Sequence, residues 1–144
     1  MTFMAIAAVL GTTASAVFAL AGMAALCRNA IADPLDRIAC VTLAGGAFLC
    51  GVFALGDIAL SVPAPLLNLL LLLNPPVAVA AAAQVDIFHT PLLYDLSPIA
   101  HRDFQYPGWP AAAALYVCAG AATFVAARAL RDAARARSTN TPTY

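Results

Sequence analysis

The chain has 144 residues, 63% of them apolar or aromatic (Ala, Val, Ile, Leu, Met, Phe, Trp, Tyr, Cys) and only 10% charged, against roughly 45–50% and about 25% in an ordinary soluble domain. Such a chain lacks the polar surface to cover a water-facing globule, so the excess apolar surface faces lipid; the mean hydropathy of +0.88 agrees. Seven Arg and seven Asp, with no Lys or Glu, cancel to zero net charge, and the absence of a basic stripe excludes nucleic acid as a partner. The expectation is one all-α transmembrane domain over residues 1–144.

The first apolar run, 3–27, carries no charge, and about 20 such residues span a hydrocarbon core of roughly 30 Å. Ala14-Ser15-Ala16 resembles a signal-peptide cleavage site, but no Lys or Arg precedes the run and it continues well beyond that point, so it reads as a membrane helix. A second span is expected over 38–60, with its single charge, Asp57, one turn from the end. The stretch 62–83, V-P-A-P-L-L-N-L-L-L-L-L-N-P-P-V-A-V-A-A-A-A, has the hydropathy of another span, but Pro75 and Pro76 remove two backbone donors and bias Asn74 away from helix. The pieces on either side are too short to cross, so the stretch reads as a re-entrant pair of short helices, which other protein or a cavity must satisfy. An outer loop over 84–110 follows. The last span is expected over 111–130, opened by Pro110 at its first turn and anchored by Tyr106 and Trp109, with a tail over 131–144.

Arginine placement fixes the expected orientation. With three spans, six of the seven arginines lie on one side, in the loop 28–37 and at the C-terminal end, and only Arg102 lies opposite; with four, the split is three against four. The positive-inside rule therefore predicts three spans in the cell membrane, with the N-terminus outside and the C-terminal tail cytoplasmic. Small residues at i+4 spacing, Gly11, Ser15 and Ala19 in the first span and Thr42 and Gly46 in the second, are candidate helix-packing seams. Three alanine-rich helices bury little surface, so other membrane subunits are expected beside the chain, within the lipid bilayer.

Little here suggests chemistry. Asp86 with His89, or His101 with Asp103, could contribute to a metal site, but two histidines without clustered carboxylates do not make one. Ser97 has no G-x-S-x-G context, no Ser or Cys is paired with a His, and Walker A has no lysine available. Cys27, Cys40, Cys50 and Cys118 read as small hydrophobes at or near the ends of apolar runs. An enzyme is not expected, nor is a cofactor.

The order of segments resembles the C-terminal half of a type 2 ABC transporter permease. The helix ending in A-A-L-C-R-N-A at 24–30 looks like that family's fourth span and cytoplasmic turn, and 38–60 like its fifth. L-L-L-L-L-N-P-P-V-A-V at 69–79 looks like its recurrent Leu-Asn-Pro element, where short re-entrant helices form an extracellular gate, and 111–130 like its sixth span. The resemblance implies a membrane-embedded transport component, a split or truncated permease paired with a second permease half and driven by a separate ABC ATPase, with Asn68, Asn74, Pro75, Pro76 and Asp57 as gate or pathway residues. The alternative is a non-transporting scaffold or accessory subunit of a larger membrane complex; the loop R-N-A-I-A-D-P-L-D-R at 28–37 distantly resembles a turn in small subunits of multi-subunit cation/proton antiporters.

Overall fold

The computed structural model describes residues 3–50, 61–88, 104–106 and 108–139. Within these the regular structure is helical: α1 (Phe3–Ala30), α2 (Pro34–Cys50), α3 (Ala64–Leu72), α4 (Pro75–Ala82) and α5 (Trp109–Thr139). Two of them, α1 and α5, are long and apolar enough to cross a membrane. At 1.5 Å per residue the 28 residues of α1 reach about 42 Å.

α1 and α5 form the principal helix pair, and they run in the same direction. Met4 and Ala8 line one hollow with Trp109, the rings of Phe18 and Phe124 meet at 5.3 Å, and Gly22 lies against Gly120 and Thr123. The buried residues of α1 are Ala8, Thr12, Ser15, Ala16, Ala19, Gly22 and Cys27; on α5, Ala112, Tyr116, Gly120 and Ala127 are buried. Close approach of small residues is how helices associate in lipid, where apolar contact alone confers no preference for a neighbour. The buried hydroxyls are satisfied within the helix: Thr12 donates to the Ala8 carbonyl at 2.8 Å and Ser15 to that of Gly11.

Of the three small residues at i+4 spacing in α1, Ser15 and Ala19 are buried, whereas a side chain at Gly11 would meet nothing within 4 Å. A row of i+4 steps swings by about 40° per step, so it leaves a face that alternating steps of three and four follow. In α2, Thr42 and Gly46 lie on an exposed side and no residue of the helix is buried.

α2 returns antiparallel to α1, since Leu20 approaches Gly45 while Cys27 meets Cys40. The turn is built locally. The Asp33 carboxylate accepts from the backbone N–H of Leu35 at 2.7 Å and of Asp36 at 3.4 Å, an N-cap that starts α2 at Pro34, four residues before the expected boundary. The Arg37 guanidinium donates to the carbonyls of Ile31 and Ala32 at the end of α1. Instead of ending at 130, α5 runs through the arginines to Thr139, because Ala and Arg are strong helix formers and nothing between them breaks the helix. The second expected span is described only to Cys50; the remainder, with Asp57, lies outside the described residues.

Candidate functional site

Nine residues of α3 and eight of α4 meet at an 84° bend. The bend follows from Leu73-Asn74-Pro75-Pro76. Asn74 takes an extended conformation (φ −98°, ψ 109°), as a residue before proline prefers. Pro75 and Pro76 then occupy the first turn of α4, where their missing N–H groups would have had no helical partner. The Asn74 side chain accepts from Val77 N–H at 3.3 Å and caps the new helix.

The elbow is clasped from both sides. The Asn74 side-chain amide donates to the carbonyl oxygen of Leu49 in α2 at 3.0 Å. From α5, the Tyr116 hydroxyl donates to the Leu72 carbonyl at 2.9 Å. The broken backbone thus finds the partners that a break away from water requires. Asn74 is 3% exposed and Tyr116 1%; the Tyr116 ring is edge-on to Phe48 at 5.6 Å, and Ala78 packs with Ala16, Ala19, Ala112 and Tyr116. Tyr116 lies seven residues into α5, about 10 Å along the helix from Trp109.

Both outer ends of the bent pair return to the Trp109 end of the molecule. Ala64, at the start of α3, shares a hollow with Phe104 and Gln105, and midway along the helix Asn68 accepts from Gln105 N–H at 3.2 Å. At the end of α4 and just past it, Ala82 and Gln84 share a hollow with Met4 and Trp109. Gln84 turns the chain in the left-handed region (φ 59°), with Val85 N–H reaching back to the Ala80 carbonyl at 2.9 Å, a Schellman closure with glutamine in the place glycine usually takes.

A small apolar core of Leu67, Leu71, Val77 and Phe88, covered by Phe104 and Tyr106, fills the space between the two arms. Phe88, Phe104 and Tyr106 make three mutual ring contacts, with centroids 5.2 to 6.2 Å apart. Tyr106 donates to the Asp86 carboxylate and accepts from Phe88 N–H. Burial, and then the bond to Asp86, push its hydroxyl up to about 12. This aromatic knot pins the segment after α4 to the approach to α5.

The structure therefore brings Asn74, Pro75 and Pro76 together at the elbow and places Asn68 apart from them, midway along α3 against Gln105. His89, His101, Asp103 and Ser97 lie outside the described residues, and among the described residues no group of three or more His, Cys, Asp or Glu gathers. Sequence reasoning missed Tyr116, whose signal was a tyrosine deep in an alanine-rich helix, where its hydroxyl must find a partner. It also missed the Leu49 carbonyl, a backbone acceptor that carries no signature.

No family model, curated protein or solved structure significantly matches the chain.

Proposed function

We propose that the chain is the membrane-embedded part of a transporter, of the kind that the resemblance to type 2 ABC permeases implies, and that the bent pair is a re-entrant element closing the outer end of its path. The observation that carries this reading is the clasped elbow: a proline-directed break held by Asn74 to α2 and by Tyr116 to α5, with both arms leading back to the Trp109 end. Such backbone is the usual construction where a membrane protein needs polar groups at depth. The parallel course of α1 and α5 supports three spans, because a chain that crosses twice in one direction must cross back between, and α2, antiparallel to α1, runs in the direction of that return. The arginine split then sets the Arg28 end in the cytoplasm. The part played by these residues is conformational, and the energy source is a separate ATPase.

The test is purification of the chain from its native membrane in mild detergent, followed by assay of vanadate-sensitive ATP hydrolysis in the isolated complex. The permease reading expects such activity, altered when Pro75 and Pro76 are both replaced by leucine. A second reading, the non-transporting accessory subunit, is favoured by the exposed side of α2 at Thr42 and Gly46. It expects an intact complex without ATP hydrolysis, and that outcome would overturn the first.

A further inference from the structure

Near the Arg28 end, where α1 turns into α2, two thiols converge. The sulfur of Cys27 lies 3.3 Å from that of Cys40, inside the usual contact separation and a little over an ångström longer than the roughly 2.05 Å of a disulfide. They come from facing helices joined by a short, well-built turn, with the Asp33 cap and the Arg37 bonds holding its geometry. Among the described residues no third ligand completes a metal set around them, so oxidation is the chemistry open to the pair. Access is graded: Cys27 is buried, while Cys40 is half-buried.

We propose that Cys27 and Cys40 are a redox modification site that closes reversibly to a disulfide and locks α2 onto α1. The oxidant is a low-molecular-weight disulfide. The more accessible Cys40 thiolate attacks it and expels one small thiolate; the Cys27 thiolate then attacks the Cys40 sulfur of the mixed disulfide and expels the second. Two cysteine thiols and one small disulfide become one protein disulfide and two small thiols, the cysteine protons ending on the expelled thiolates and two electrons passing to the reagent. The consequence lies in α2. This helix has no buried residue of its own and leaves against α1 a hollow of about 410 Å³ lined by Leu20, Ala24, Val41, Gly45 and Leu49, yet its Leu49 carbonyl holds the elbow. Fixing one end of α2 limits how far its other end can carry Asn74. The site rests on the proposed topology only for which compartment's redox state it reads.

The experiment uses the full chain in detergent micelles with Cys50→Ala and Cys118→Ala. It is treated with glutathione disulfide, quenched with acid, denatured, and counted for free thiols with a maleimide mass tag. The expected result is joint loss of both tags at monomer mobility, reversed by dithiothreitol, with a mixed glutathione adduct and no closure in the added Cys27→Ser variant. Retention of both tags while an engineered exposed pair closes under the same treatment would overturn the site, as would dimers linked between chains. Hydrogen exchange over residues 34–50, measured on the same reduced and oxidised samples, should slow on closure. Unchanged exchange would overturn the lock.

Discussion

Gly22 and Gly120 face each other with no room for a side chain on either. A methyl group on Gly22 would lie 2.8 Å from the Gly120 carbonyl oxygen and 2.2 Å from Thr123 Oγ1; one on Gly120 would lie 2.4 Å from the Phe18 ring. Backbone meets backbone at this point, which holds α1 and α5 at their close separation.

Substitution there should be costly for that reason. Gly22→Ala or Gly120→Ala should destabilise the helix pair by about 1–3 kcal/mol, the usual penalty of overpacking, read as a lower midpoint in denaturant titration in micelles. Gly11→Leu, which meets open space, should leave the midpoint within about 0.5 kcal/mol. Equal sensitivity at all three positions would mean that α1 and α5 do not meet as described.

The elbow makes a second expectation. Asn74→Ala removes a cap and an interhelical bond together, and Tyr116→Phe removes one bond; single losses of about 1–2 kcal/mol and 1 kcal/mol follow. Because both bonds grip the same few residues, the double variant should depart from additivity by about 0.5 kcal/mol or more. Strict additivity would show that the two sides of the clasp are independent.

Topology is checked by single cysteines in a background cleared of the native four. Cysteines at positions 64, 84 and 105 should all react with a membrane-impermeant thiol reagent added to intact cells, and one at 139 should resist it. Opposite labelling of 64 and 84 would turn the bent pair into a span and remove the basis of the gate.

Tyr106 offers a pH signature. Its hydroxyl is raised from the ordinary 10 to about 12, so its neutral form is favoured in the folded protein. The stability it contributes is complete below about pH 10 and fades as the pH climbs through 12. In spectrophotometric titration, the difference between the parent and Tyr106→Phe should show one tyrosine ionising near pH 12. A difference curve centred near 10 would place this hydroxyl in water, away from Asp86.

Much of the fold was legible because lipid imposes simple rules. Long uncharged runs announce α1 and α5, and Asn-Pro-Pro announces a break, since proline constrains both itself and its predecessor. Element ends were less legible: Asp33 starts α2 before the apolar run begins, and α5 continues beyond it. The choice of Gly22 over Gly11 depends on how two helices roll against each other, which spacing within one of them does not determine. The Cys27–Cys40 meeting likewise depends on a turn whose geometry one Asp and one Arg set.

The parallel course of α1 and α5 also bears on how the protein is made. A helix ending at Ala30 finds its main partner in one that begins at Trp109, so during synthesis α1 must wait in the bilayer while the intervening residues emerge. It can do so because an uncharged apolar helix is stable in lipid by itself, and the long separation along the sequence makes the final docking a late event. When α5 arrives, it meets α1 at Gly22, and its Tyr116 reaches the bent pair at Leu72. The helix that arrives after the bent pair is therefore also the one that seals the elbow, and a chain stopped before Trp109 would leave α1 without its partner and the break without half of its clasp.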